Sequence, residues 1–407
     1  MLRTLRSVWR FRRFELDADL RRLQGVADVE DLRELARRRL PSGVFDYIDG
    51  AAEDEITAAR NEEGFVALEL RPRILRDVSA VEVGAEILGR PAAMPLVLAP
   101  TGFSRMAHSQ GELAVARAAQ RAGVPYTLST LSTRSIEEAA AAAPEARLWF
   151  QVYVWRDRGL VEEMLQRARE SGYEAIVITV DTAVLGRRER DVRSGFSLPP
   201  RLGLGTLVEG ALHPGWTLDF LRGGPIEFAN VAGRGTGPGG GAVALAEYVN
   251  AQFDAALSWR DLDWFRERWD GPIVLKGVQT VDDAVLAAEA GVDAVALSNH
   301  GGRQLDGAPP PVELIEPVRE AIEDRLEIYC DGGVRRGSDV VKALALGADA
   351  VMVGRAYLYA LAAAGESGVD WVLDFLRSGT ARTLALCGLR GVDEIEPSLV
   401  RWRTPRG

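Results

Sequence analysis

From residue 95 onward, eight short apolar runs punctuate the chain. They are PLVLAPTG (95–102), PYTLST (125–130), LWFQVY (148–153), AIVITVD (175–181), PIVLKG (272–277), DAVALSNHGG (293–302), EIYCDGG (327–333) and DAVMVGR (349–355). β-Branched residues and leucine fill the middle of each run, and polar residues or glycine end it, the pattern of strands buried on both faces. Ala-rich segments of helical character lie between them: GELAVARAAQRAG, RSIEEAAAAA, RGLVEEMLQRARESG, VDDAVLAAEAG, VELIEPVREAI and SDVVKALALG. Several close on a glycine suited to a helix C-terminus. Strand and helix alternating in this way predict an α/β fold, a closed parallel (β/α)8 TIM barrel. Such a barrel takes about 250 residues and exceeds 400 when it carries insertions, so the 407 residues hold one barrel with additions.

Three additions are predicted. Residues 1–28 form a basic extension in which Arg3, Arg6, Arg10 and Arg13 share one helical face. That stripe suits either an acidic protein surface or anionic lipid headgroups. Residues 28–60 read as an N-terminal helical extension of the main unit, which spans 29–400. Residues 186–270 interrupt the rhythm after the fourth strand, and an insertion of that length at a strand's C-terminal end carries function or is a loose loop.

Composition narrows the classes. A net charge of −10 argues against nucleic-acid binding. Cys330 and Cys387 stand apart with no CxxC pair, which fits a reducing compartment. No apolar run reaches the ~18 residues of a membrane span, and the N-terminus lacks a signal-peptide pattern. The expected location is cytoplasmic, with peripheral contact at the inner face of the cell membrane.

Active sites in such barrels lie at the C-terminal ends of the strands. The polar residues ending the eight runs are Thr101, Ser129, Gln151 with Tyr153, Thr179 with Asp181, Lys276, Ser298 with His300, Asp331, and Arg355. Of the three histidines, His213 reads as a solvated loop residue and His108 as a brace for the helix starting near Gln110. His300 is followed by two glycines and Arg303, a pairing suited to taking a proton from an anionic substrate: the guanidinium holds a carboxylate and the imidazole is the base. Asp181 is the candidate partner for the imidazolium. DGGVRRG (331–337) and the Gly354–Arg355 pair suit a phosphate monoester. Lys276 is one of only two lysines in the chain. It fits a counter-charge for a reduced flavin or a Schiff-base lysine, and the His–Arg pair and phosphate site favour the flavin.

SNHGGRQLD, DGGVRRG, LPSGVFDYIDGAAEDE, FQVYVWRDR and ITVDTAVLGRRERD together resemble the FMN-dependent 2-hydroxy-acid oxidases and dehydrogenases, from about Val29 to about Val400. The resemblance is greatest to respiratory L-lactate dehydrogenases of the actinobacterial type. It implies His300 as base paired with Asp181, Arg303 and Arg188 on the substrate carboxylate, and Tyr47 and Tyr153 as hydrogen-bond donors to the substrate. It implies FMN contacts from Pro100, Thr101, Gly102, Ser129, Gln151, Thr179, Lys276 and Ser298. The FMN phosphate would meet Asp331, Gly332, Gly333, Val334 and Arg335, together with Gly354 and Arg355. Leu131 stands where similar glycolate oxidases carry Trp, which makes the substrate end less aromatic. The implied reaction takes an L-2-hydroxy acid, L-lactate foremost, to the 2-oxo acid. Quinone, a cytochrome or oxygen accepts the electrons, and the assembly is a homotetramer. The sequence leaves hydride and carbanion routes open, and the rivals are a peroxide-forming oxidase, an FMN-dependent isomerase and a non-catalytic flavin-binding protein.

Overall fold

A computed structural model describes residues 15–195, 204–224, 226–231 and 252–403. Eight parallel strands close into a barrel: β1 (Leu96–Leu98), β2 (Tyr126–Ser129), β3 (Leu148–Tyr153), β4 (Ala175–Thr179), β5 (Ile273–Val278), β6 (Ala294–Ser298), β7 (Glu327–Asp331) and β8 (Ala350–Val353). Each lies in or overlaps one of the predicted apolar runs, and β8 returns to β1 through Val351 opposite Leu96. Strand alternation separates two apolar sets. Val97, Trp149, Val177, Val274, Ala296, Tyr329 and Met352 form one compact cluster, whereas Leu96, Leu98, Phe150, Val152, Ile176, Ile178 and Leu275 join the larger core with the helices.

One irregularity prepares the site. The pairing of β5 with β6 shifts register between Lys276 and Val278. The intervening Gly277 has φ 108°, and a Cβ there would stand 2.8 Å from the Asp181 side chain. A bulge of this kind re-aims a neighbouring side chain; here only glycine lets β5 pass Asp181.

The predicted helices form, including Gly111–Ala122, Arg158–Glu170, Pro311–Ile322 and Gly337–Ala345. The longest helical stretch, Arg355–Cys387, was not anticipated; it breaks its helical geometry at Ala364 and Gly365 and packs on Val29–Arg39 and Gly111–Ala122. Ala18–Leu23, inside the predicted basic extension, also packs on it. The arginine stripe at 3–13 lies outside the described residues. A hairpin of Ala85–Ile87 with Arg90–Ala92 places Ile87 in the compact cluster, and Leu68–Leu70 pairs antiparallel with Val400–Trp402.

The insertion contains structure of its own. Leu204–Leu212 and Pro214–Arg222 are helices, and the second is clamped to the β1 loop. Asp219 accepts from Ser109 N at 2.8 Å and from its hydroxyl at 2.5 Å, and the Trp216 indole donates to Met106 O at 2.8 Å. His213 is therefore not a solvated loop residue: it sits half-buried between these helices, with Nδ1 2.9 Å from Glu209 O. His108 braces its helix as expected, Nδ1 accepting from Gln110 N at 3.3 Å. The Gly-rich 233–241 stretch lies outside the described residues.

Candidate active site

His300 stands where β6 gives way to a tight turn. Its own φ is 57°, and Gly301 and Gly302 continue at 64° and 76°. A histidine in left-handed conformation is uncommon, and such strain concentrates at functional sites. Two contacts show why glycines follow: a Cβ on Gly301 would meet the Arg355 guanidinium at 2.7 Å, and one on Gly302 the backbone of Ala58 at 2.7 Å. The turn is pinned by His300 N donating to Ser298 Oγ at 3.1 Å and by the Asn299 carboxamide accepting from Gly302 N at 3.1 Å.

The His300 ring meets Asp181 as expected, Nδ1 to Oδ1 at 3.0 Å. The Asp181 side chain is 2% exposed, and its second oxygen has no hydrogen-bond partner among the described residues. Burial disfavours this carboxylate, yet the charge and hydrogen bond of His300 outweigh it and hold the acid below its ordinary value. With Nδ1 donating to Asp181, Nε2 is the nitrogen left to take a proton.

Beside it lies a cluster of cations around one phenol. The Tyr47 ring has the Arg188 guanidinium 5.3 Å from its centroid and that of Arg303 at 5.1 Å. Arg303 Nη1 donates to Tyr47 O at 2.7 Å and Gly50 O at 3.0 Å, which fixes the plane of its fork. Burial first, and the like charge of Arg188 second, pull the Arg303 pKa down to about 10. Tyr153 is pushed up by burial and by Asp181, so its phenol stays protonated and able to donate. Phe253 packs edge-on against Tyr153 at 5.2 Å, and Phe228 against Phe103 at 4.7 Å.

Tyr47, Tyr153, Arg188, His300 and Arg303 line a single cavity at the barrel mouth, together with the apolar Leu131, Leu185, Phe228 and Phe253. The same cavity is lined by Pro100, Thr101, Gly102, Lys276, Asp331, Gly332, Gly333, Val334, Arg335, Gly354 and Arg355. Ser129, Gln151, Thr179 and Ser298 are almost wholly buried behind this lining; Ser298 and Ser129 bond residues of the lining, and Gln151 and Thr179 continue the network behind Ser129. Ser298 accepts from Lys276 Nζ at 3.0 Å and donates to Asp331 at 2.7 Å. Ser129 accepts from Leu131 N and donates to Gln151, whose amide donates to Thr179 at 3.0 Å. Burial would discharge Lys276, but the adjacent carboxylates, Asp331 at 2.7 Å first among them, raise its pKa instead.

Arg355 lines the cavity and also braces its rim. Its guanidinium donates to Ile48 O, Gly301 O and Gly50 O at 3.2, 2.6 and 2.8 Å. A guanidinium has five N–H groups, so most of this one braces the His300 turn against the Tyr47 segment. Phe228 and Phe253 were missed in the sequence because each is a lone aromatic in the irregular insertion, without periodicity to mark it.

A closed parallel barrel that gathers a His–Asp pair, two guanidiniums around a tyrosine and a basic glycine turn at one mouth has the layout of an enzyme's active site. Residues 36–402 match the family model described as FMN-dependent dehydrogenase, and the chain belongs to that family. It is 44% identical over 382 residues to L-lactate dehydrogenase of Caulobacter vibrioides, covering 94% of this chain and 99% of that protein. It is 43% identical to glycolate oxidase 3 of Arabidopsis thaliana, covering 93% and 98%. The crystal structure of the monotopic membrane protein (S)-mandelate dehydrogenase superposes with a TM-score of 0.89 at 41% identity, covering 93% of this chain and 100% of that one. The protein is thus an FMN-dependent oxidoreductase of the 2-hydroxy-acid oxidising family.

The cavity fits that cofactor. Gly332 and Gly333, with φ of 129° and 83°, and Arg335 form a basic turn of the kind that receives a phosphate, and the buried Lys276 supplies a positive charge deeper in.

Proposed function

We propose that this enzyme oxidises L-2-hydroxy acids, L-lactate foremost, to 2-oxo acids and passes the electrons to a quinone or another respiratory acceptor. The observation that carries the reading is the His300–Asp181 pair at the edge of the Arg188–Tyr47–Arg303 cluster. Arg303 and Arg188 receive the substrate carboxylate, and the Tyr47 and Tyr153 hydroxyls orient it. His300 Nε2 takes a proton from the substrate, and Asp181 holds the ring and stabilises the imidazolium that results. FMN, when bound against Lys276 and the 331–335 turn, supplies the oxidising power. Phe228, Phe253 and Leu131 keep the reacting end dry. Anaerobic mixing of the yellow holoenzyme with L-lactate tests this: the flavin band bleaches, and reoxidation by a quinone analogue or by air distinguishes the respiratory enzyme from an oxidase. A holoenzyme that L-lactate does not bleach refutes the substrate.

Leu131 sets the room for the substrate side chain. Leu131→Trp is expected to lower kcat/KM for 2-hydroxy acids longer than lactate by about 10- to 100-fold relative to glycolate, the scale on which an apolar pocket discriminates. Equal ratios in both forms would remove Leu131 from the substrate wall.

Membrane contact is part of the proposal. No helix among the described residues is long and apolar enough to cross a membrane. The two insertion helices nevertheless expose Leu207, Val208, Leu212, Leu218 and Leu221, each more than half accessible. A cofactor reoxidised by a lipid-soluble quinone is best served at the bilayer surface, and the solved mandelate dehydrogenase is described as monotopic. Removing residues 1–14, or changing Leu207 and Leu221 to Glu, is expected to shift the protein from the pellet to the supernatant when it is centrifuged with anionic vesicles. Unchanged sedimentation of both variants would refute it.

A further inference from the structure

The segment carrying Tyr47 is anchored by a carboxylate that the mechanism does not use. Asp49 is the last residue of the helix Ser42–Asp49, and its side chain is 4% exposed. A carboxylate there faces the negative end of its own helix, an unfavourable place unless other groups compensate. Arg33 grips it through Nε at 2.5 Å and Nη2 at 2.9 Å, Tyr359 donates its hydroxyl at 2.7 Å, and Arg190 donates Nη1 at 2.6 Å. Burial alone would raise the Asp49 pKa; bonds from Arg33, Tyr359 and Arg190 outweigh it and keep the acid well below the ordinary carboxylate range.

The three partners come from separate parts of the chain: the helix Val29–Arg39, the long helix after β8, and the short helix Glu189–Arg193 in the connection after β4. Arg190 is two residues beyond Arg188. Its other arm holds Glu55 at 2.5 Å, and Glu53 N donates to Arg187 O at 3.0 Å. The connection after β4 is thus fastened to the Tyr47 segment on both sides of Arg188, while the Arg188 side chain lies over the Tyr47 ring.

From this juxtaposition we propose that Asp49 is a positioning residue: through Arg190 it fixes the separation of Arg188 from Tyr47, so that the substrate carboxylate meets a preset socket. The proposal rests on reading Arg188 and Tyr47 as substrate contacts. A socket assembled before binding spares the ligand the loss of two flexible side chains' freedom, and it acts on binding more than on the chemical step.

Arg190→Gln in the holoenzyme cuts the ties to Asp49 and Glu55 together and leaves Asp49 bonded to Arg33 and Tyr359. Oxalate, a small dianion that needs no turnover, is titrated calorimetrically, and KM and kcat are measured with L-lactate. Arg190→Gln is expected to weaken oxalate by about tenfold and raise KM by a similar factor, with kcat within about twofold and the melting temperature and FMN content unchanged. Arg190→Lys should restore part of the affinity. Glu55→Gln, which weakens only the second tie, is the control and should keep wild-type oxalate affinity; a loss there equal to that of Arg190→Gln would overturn the part given to Asp49. Wild-type oxalate affinity in Arg190→Gln would overturn the proposal, and so would a loss in which stability, FMN content, kcat and KM fall together, since that is what a purely structural ion pair gives. Arg188→Met separates the two ideas: if it too leaves oxalate binding intact, the assignment of Arg188 has failed, whereas weakened binding there with wild-type binding in Arg190→Gln refutes the tie alone.

Discussion

Replacing His300 with Gln is expected to slow anaerobic bleaching of the flavin by L-lactate by up to about 10⁴-fold, the upper range for a general base, while FMN stays bound. The imidazole does not hold the residues assigned to the cofactor: its ring bond runs to Asp181, while Lys276 is held by Asp331. Gln preserves the volume and can still donate to Asp181 but takes no proton at neutral pH. The left-handed backbone at this position adds a second readout: a Gly variant relieves the strain but leaves the buried Asp181 carboxylate without its partner, so it should melt below the Gln variant while being as inactive. Rapid-mixing absorbance together with thermal unfolding checks both. Bleaching within tenfold of the wild type would remove His300 from the proton-transfer step.

Arg303→Leu carries the second large effect, a fall in kcat/KM of roughly 10²–10³-fold. Truncating one partner of a buried charge pair costs about 2–5 kcal/mol. Part of the loss is indirect, since Arg303 Nη1 also holds the carbonyls of Tyr47 and Gly50. Arg303→Lys keeps a charge without the fork and should recover only a fraction of it. The wild-type enzyme offers a companion measurement. The Arg303 pKa is pulled down to about 10, so the clamp is charged below that pH and discharges above it. Consequently kcat/KM should fall as pH rises through about 10, and the Leu variant should lack that limb. A wild-type profile that stays flat to pH 11 in a still-folded enzyme would contradict it.

Local pattern carried the barrel and its mouth. Each strand is an apolar run with β-branched residues, and the polar group ending a run marks its C-terminal end, so the chemistry of His300, Asp181 and Lys276 could be read in order. Burial order could not. Ser129, Gln151, Thr179 and Ser298 end their strands like the others, yet each is almost wholly buried, a depth that the pattern of a single strand does not show. Arg355 reads as a phosphate ligand by sequence, but its ties to three carbonyls of two distant segments were not legible there. Asp49 was invisible, since its bond to Tyr359 spans 310 residues. Phe228 and Phe253 owe their places to an insertion without periodicity. The helix Arg355–Cys387 had a legible apolar content, but Gly365 masks its length.

The ribbon formed by Leu68–Leu70 with Val400–Trp402 bears on how the molecule is made. Glu69 and Arg401 are 332 positions apart and joined by a salt bridge across this ribbon. β1 likewise pairs with β8, some 250 residues later in the chain. On the ribosome, both early edges emerge long before their partners and wait with unmet backbone groups, the condition under which nascent chains mispair or recruit chaperones. The seam therefore closes last, and synthesis that stalls before residue 400 leaves a protein whose eight strands are complete but whose ribbon is still open.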